Sequence, residues 1–315
     1  MRALNRIFLG VLCSLIFLWV PGFGYSPSKA GFSVKIKNLQ IPYTEFAVFP
    51  SPGEKLKLDV LDDDTNHEYR IETELLNSSK KKRSWELTVP SLKGLYSVTV
   101  VRIDAGSQIH IKIFSTVPGT LIKNEHLNGY RIGKYPVVLT NMPFVTKPPS
   151  HFIEVTDQNR NVSVSPHFKL SQFLCKQEGA YPKYLVLDEV LILKLELILE
   201  EVNRRGYPAD TFHIMSGYRT PYYNKAIGNV AYSRHIWGKA ADIFIDQNPV
   251  NNKMDDLNKD GTVDKKDAKL LHDIIDSLVN KKWYQKFLGG LGYYGSNQSH
   301  GPFVHIDSRG YRARW

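Results

Sequence analysis

Two short segments near the end of the chain carry side chains that can hold a metal ion between them. Ser233 to Asp242 reads S-R-H-I-W-G-K-A-A-D, and Phe303 to Asp307 reads F-V-H-I-D. His235, Asp242 and His305 offer two imidazoles and a carboxylate, the three-ligand set of a catalytic zinc whose fourth position is left to water. A lone histidine is more often structural or exposed than metal-bound, so it is the ensemble that makes a metallohydrolase the leading reading.

The residues around these three fit that reading. Gly238, Ala240 and Ala241 permit tight backbone approach while the chain passes from loop into strand, which lets His235 and Asp242 converge. His305 and Asp307 are two apart, so on a strand both project from one face. One can ligate while the other works on the bound water.

With Ser216-Gly217-Tyr218-Arg219-Thr220-Pro221, Gly290-Leu291-Gly292-Tyr293-Tyr294 and the closing Arg314-Trp315, these motifs resemble the zinc D-Ala-D-Ala peptidases. That family includes VanX-type dipeptidases and peptidoglycan carboxypeptidases and endopeptidases. The resemblance covers about 150 C-terminal residues, and its four ordered elements are specific in combination, although S-G-Y-R alone would not be. It implies a zinc-dependent peptidase that attacks peptidoglycan stem peptides or cross-links with a zinc-bound water. By position it implies His235, Asp242 and His305 as zinc ligands, Ser233 as a substrate-binding residue, and Arg219 as the cation facing the developing oxyanion. VanX-type members place a glutamate three residues before the last histidine, where this chain has Pro302. Asp307 is then the candidate general base, with His300 in second place. The other role open to Asp307 is to orient His305.

Between the zinc motifs, Asp256 to Asp267 puts oxygen-bearing side chains at loop positions 1, 3, 5, 9 and 12, namely Asp256, Asn258, Asp260, Asp264 and Asp267. Gly261 is at position 6, with Thr262 at 7 contributing its carbonyl in such loops. This matches a calcium loop apart from Asp in place of Glu at position 12, a variant that resembles the dockerin type. The Gln247 to Lys253 segment before it is poor in helix signals, so the expectation is half of an EF-hand within an insertion.

The positioning elements divide the chain. From 31 to 117, apolar residues at every second position, as in Phe32/Val34/Ile36, Leu56/Leu58/Val60 and Ile109/Ile111/Ile113, predict six or seven short strands. They suggest an all-β sandwich resembling an immunoglobulin-like module, without the Cys and Trp landmarks of antibody domains. Lys80 to Arg83 reads as a hairpin loop flanked by Asn77-Ser78-Ser79. Residues 118–150, with Asn128-Gly129, Pro143 and Pro148-Pro149, read as a turn-rich linker. The catalytic unit, 151–315, is expected to be α+β: a central antiparallel sheet with flanking helices. Its spine is a helix from Asp188 to Arg205 with Asp188 as N-cap, Leu191, Leu195, Ile198, Leu199 and Val202 on one stripe, and Gly206 as the stop.

Arg2 and Arg6 precede an apolar run from Ile7 to Val20, and Pro21 with Gly22-Phe23-Gly24 completes the pattern of a secretory signal over residues 1–24. The run is shorter than a bilayer-spanning helix; uncleaved, it would associate the protein with the membrane. A periplasmic or other cell-envelope location follows. Cys13 lies inside this run, which leaves Cys175 alone in the mature chain and forbids an internal disulfide. The net charge of +10, about +8 once Arg2 and Arg6 leave with the signal, would draw an exported protein to polyanions such as cell-wall polymers, while no aromatic-plus-basic pattern argues for nucleic acid. At 315 residues and 42% hydrophobic, the chain has room for two cores. The β module would bind the wall or a protein partner. A non-catalytic wall-binding or calcium-dependent interaction protein, with a degenerate peptidase domain, is the alternative function.

Overall fold

A computed structural model describes residues 24–75, 77–137 and 147–315, with the side chains of 77–81 left out. The expected signal up to residue 23, with Cys13, lies outside the described residues, as does Pro143. The described chain is rich in sheet, with three α-helices among the described residues.

Residues 29–115 form two sheets. One runs Leu39–Tyr43, Lys29–Ile36, Lys55–Leu61, Ser84–Thr88, Asn77–Lys81, and the other runs Glu45–Val48, Gln108–Ser115, Gly94–Arg102, Tyr69–Thr73. The expected alternation is present, with Val34, Ile36, Leu58, Leu87, Ile111 and Ile113 fully buried. Phe32 of the first sheet and Tyr69 of the second meet at 5.0 Å between ring centroids, so the two sheets share apolar contacts. Two features differ from expectation. Asn77 to Lys81 is strand, so the turn narrows to Lys82 and Arg83. Leu39–Tyr43 is also strand, despite Pro42; it lies at a sheet edge, where a missing N–H is tolerated.

The stretch read as a linker is partly built into the structure. Val117–Pro118 pairs with His151–Val155, and His126–Leu127 pairs with Tyr130–Arg131. Asn128 and Gly129 close that small hairpin at φ of 46° and 85°, the left-handed pair that asparagine and glycine supply most readily. Leu127 and Ile132 are fully buried, and the Ile132 carbonyl accepts from the Tyr222 N–H at 3.0 Å.

The helix Glu189–Arg204 has the cap and stripe expected of it. Asp188 accepts from the Val190 N–H at 3.0 Å, and Leu191, Leu195, Ile198, Leu199 and Val202 are fully buried. Arg205 and Gly206, at φ 84°, end it. A five-stranded sheet runs His213–Ser216, Ala240–Phe244, Phe303–Asp307, Gly290–Tyr294, Ala313–Arg314. Every neighbouring pair is antiparallel except the last, which is parallel. The helix Lys265–Asp276 buries Ala268, Leu271, Ile274 and Ile275.

Lys194 breaks the apolar stripe of the long helix. It is 2% exposed; its Nζ donates to the Asp307 carbonyl at 2.7 Å and lies 5.7 Å from the centre of the Tyr284 ring. Burial pushes its ammonium down to about 7, against the opposing pull of Asp307. The unfolded chain keeps the ordinary lysine value of 10.5, so between pH 7 and 10.5 it binds more protons than the folded chain, and stability contributed at this site rises with pH. Denaturant unfolding of the wild type and Lys194→Met across that window should show the wild type gaining on the variant as pH rises. A pH-independent difference would contradict this.

Candidate metal centre

The site is a single row across the sheet. Ser216 is paired with Asp242, Asp242 with His305, and His305 with Gly292. Directly paired residues on adjacent strands project to the same face, so Asp242 and His305 are neighbours by register alone. His235 reaches them from a 3-10 turn, Arg234–Trp237, which ends at Gly238 with φ 64°. A Cβ at Gly238 would run into the Val186 carbonyl. Only glycine fits there, and the buried Ala240 and Ala241 that follow carry the chain into the strand.

Three ligand atoms converge. His305 Nδ1 lies 2.8 Å from Asp242 Oδ1, His235 Nε2 lies 3.3 Å from the same oxygen, and the two nitrogens are 3.3 Å apart. Zinc with nitrogen and oxygen ligands at about 2.0–2.1 Å has tetrahedral edges of roughly 3.3 Å, so the spacing and donor types suit that ion. Among the described residues, this is the group of three or more such side chains that could hold a metal.

Each imidazole is held by its other nitrogen. His235 Nδ1 faces the Gly217 carbonyl at 2.7 Å; a carbonyl can only accept, so Nδ1 carries the proton and Nε2 is left to ligate. His305 Nε2 faces Asp307 Oδ2 at 3.4 Å, which leaves Nδ1 towards the cluster. Burial alone would raise the Asp242 carboxyl, but the two imidazoles outweigh it and hold the group well below the usual carboxylate range. Burial pushes His235 down.

Arg219 Nη2 donates to Asp242 Oδ2 at 2.6 Å, and its Nε donates to Ser216 Oγ at 2.8 Å. The arginine thus rests against a ligand carboxylate, pinned by the Arg219 N–H to His235 carbonyl bond of 3.2 Å. Side-chain exposure is 2% for His235 and 4% for Asp242 but 12% for His305 and 11% for Arg219, so solvent reaches the cluster from the Arg219 and His305 side. Ser233 stands at the N-cap of the turn that carries His235, without a side-chain capping bond. His300 lies on a loop, with Nε2 2.8 Å from Asn297 Nδ2.

For Asp307 both a base role and the orientation of His305 were open from the sequence. It is fully buried. Oδ1 accepts from the Gly290 N–H at 2.7 Å and from the Arg309 N–H at 3.1 Å, and Arg309 Nε reaches both oxygens at 2.9 and 2.8 Å. Burial would raise this carboxyl; His305 and Arg309 outweigh it and hold it far below the usual range. A carboxylate so engaged is a weak proton acceptor, and its environment is that of a partner orienting His305. Arg309 and Lys194 were not singled out from the sequence. A lysine within an apolar helical stripe was the available signal for the second; nothing local marks the first.

In the loop 256–267 the oxygens close on the chain itself. Asp267, fully buried, accepts from the N–H groups of Leu257, Asn258 and Asp264 at 2.8, 3.1 and 2.8 Å. Asp256 accepts from the Gly261 N–H at 2.7 Å, and Asp260 pairs with Lys266 Nζ at 2.8 Å. Asp264 caps the following helix. Asn258 accepts from the Asp260 N–H at 2.8 Å, and the Thr262 N–H donates to Asp260.

Replacing Asp307 by Asn should weaken zinc binding by about 10–100-fold, read by competition with a chelating dye. Unchanged affinity with a collapsed kcat would instead mark Asp307 as the base.

A comparison with curated proteins finds no match. Residues 166–265 match the family model described as Peptidase M15, a span that takes in Arg219, Ser233, His235 and Asp242 and stops short of His305 and Asp307. Strand pairing brings those last two residues to the matched segment. Over residues 166–265, the C-terminal part of this chain is therefore similar to peptidase M15.

Proposed function

We propose that the protein is an exported zinc peptidase that hydrolyses peptide bonds in peptidoglycan stem peptides or cross-links, as a D,D-carboxypeptidase or a D,D- or L,D-endopeptidase. The observation that carries this reading is the convergence of His235, Asp242 and His305 at tetrahedral spacing within and beside a peptidase M15 segment. Zinc bound there would supply a Lewis acid for the scissile carbonyl and lower the pKa of a water.

The protein's own residues would do the rest. Asp242 and the two imidazoles fix the ion, while Gly217 and Asp307 hold the rings. Arg219 spends two of its five N–H groups on Ser216 and Asp242, and the remaining ones would face the oxygen on which charge develops, an arrangement typically contributing about 3–4 kcal/mol. Ser233, beside the cluster on the turn that carries His235, would hold substrate. The two N-terminal sheets, read as an immunoglobulin-like sandwich over 31–117, would space or dock the peptidase on the wall. Export rests on Arg2, Arg6 and the run from Ile7 to Val20; protein recovered from the cell envelope should begin near Tyr25.

Incubation of the purified protein with soluble muropeptides and with sacculi, followed by mass spectrometry, tests the activity and names the bond. Cleavage lost with chelator and restored by zinc is expected. Arg219→Ala should lower kcat about 100-fold or more with zinc content retained. Zinc-loaded protein inert on every such substrate while still sedimenting with sacculi would favour the non-catalytic wall-binding alternative.

The loop 256–267 supports a second proposal, that Asp256, Asn258, Asp260, Thr262, Asp264 and Asp267 receive calcium, which would displace Lys266 from Asp260. Excess calcium should then raise the Tm of the zinc-loaded protein by several degrees, and Asp256→Ala with Asp260→Ala should abolish the rise. An unchanged Tm in the wild type would remove calcium from the description.

A further inference from the structure

The first N-terminal sheet and the long helix enclose a recess that the metal centre does not use. Lys29 Nζ donates to Glu200 Oε1 at 2.6 Å, Lys37 Nζ donates to Glu189 Oε1 at 3.1 Å, and the Phe49 N–H donates to the same Glu189 oxygen at 3.0 Å. These contacts tie the sheet to the helix. Beside them opens a cavity of about 590 Å³, bounded by Lys29–Ile36 and Leu39–Tyr43 on one side, by Glu189–Arg204 on the second and by the turn Lys282–Phe287 on the third. A cleft between two packed units is a common place for a ligand.

The lining combines an open aromatic face with unmatched positive charge. Buried Leu193 and Phe287 contribute apolar floor, and Trp283 lines the recess while staying 46% exposed. Its ring stands edge-on to Tyr284 at 5.7 Å and 87°; Tyr284 and Phe287 are buried, so the short turn is rooted in the core. The acids of the recess already have partners, Glu200 in Lys29 and Glu201 in Arg204 at 2.6 Å. Lys281 and Lys286 line the same space, with Lys282 exposed between them, and among the described residues none of these lysines is ion-paired. Addition of a peptide strand is disfavoured, because Pro42 removes a donor from the edge strand that borders the recess.

We propose that this recess is a second, non-catalytic site that binds a carboxylate-bearing glycan chain: a sugar ring lies on Trp283, and its carboxylate faces Lys281 and Lys286. A sugar ring presents a face of C–H groups, which suits the negative face of an indole. Unmatched ammonium groups at the mouth add attraction for an anion. An uncharged sugar would leave the lysines unused, and an anionic bilayer would leave the recess unfilled. The site goes beyond the peptidase reading, since binding here needs no cleavage and uses none of the metal-holding residues.

The test is calorimetric titration of the full-length zinc-loaded protein with four probes: peptide-free peptidoglycan glycan strands, whose lactyl groups end in free carboxylates; neutral chitooligosaccharides of matched length; polyphosphate; and phosphatidylglycerol vesicles. The carboxylated strands should bind best, and more weakly as salt is raised. Trp283→Ala should weaken their binding about tenfold or more. Lys281→Gln with Lys286→Gln should bring their affinity down to that of the neutral chain. Equal affinity for carboxylated and neutral chains, tighter binding of polyphosphate or vesicles, or binding untouched by these substitutions overturns the proposal. Should Trp283→Ala not fold, Trp283→Leu and the double lysine variant carry the same test. Cleavage of soluble muropeptides is followed in parallel, and Trp283→Ala should keep the wild-type kcat. A wild type that binds the strands but cleaves nothing removes the peptidase reading and leaves this site standing, whereas cleavage without strand binding does the reverse.

Discussion

Antiparallel register is the constraint on which the site depends. Asp242 and His305 are 63 residues apart in sequence and become direct neighbours because Ala240–Phe244 and Phe303–Asp307 pair with Asp242 opposite His305. A slip of one residue between the two strands would turn one of these side chains to the other face of the sheet and leave no site. The register is fixed by what lies on either side: Ile243, Val304 and Ile306 are fully buried, so the opposite face of these strands cannot be exchanged with the metal face without exposing core. Metal geometry is therefore a consequence of core packing.

A second layer of charge makes that geometry stiff. Arg219 anchors one ligand carboxylate, Arg309 anchors the carboxylate behind His305, and Lys194 holds the Asp307 carbonyl from the long helix. Buried charges are tolerated only when paired and hydrogen-bonded, and here Asp242 has Arg219 and Asp307 has Arg309, while Lys194 gives its hydrogen bond to a backbone carbonyl. Gly289 contributes by absence, since a Cβ there would run into the Asp307 carbonyl. The helix whose apolar stripe builds the core thus reaches the site through its one buried lysine.

Local chemistry was legible in the sequence, and long-range placement less so. Gly238 could be read as a tight passage because its neighbours are small, and it proves to be a left-handed residue against the Val186 carbonyl. Asp188 and Gly206 bracket the long helix as caps and stops do. The H-x-D ending showed that His305 and Asp307 share a strand face, yet could not show that Arg309 folds back onto both Asp307 oxygens, a contact set by the turn after the strand. The linker looked like turns because Asn128-Gly129 is a turn; the buried Leu127 and Ile132 on either side of it are what tie it down. Arg314-Trp315 could be read as a closing motif, but the sequence could not show that the indole lies over Gly290 and Gly292, 5.3 Å from the His305 ring between centroids.

X-ray absorption at the zinc edge of the purified protein tests the metal centre most directly. A first shell of two imidazole nitrogens and oxygen at about 2.0–2.1 Å is expected, with one imidazole lost in His235→Ala and in His305→Ala. A sulfur neighbour, a six-oxygen shell, or a shell unchanged by either substitution would contradict a zinc held by His235, Asp242 and His305.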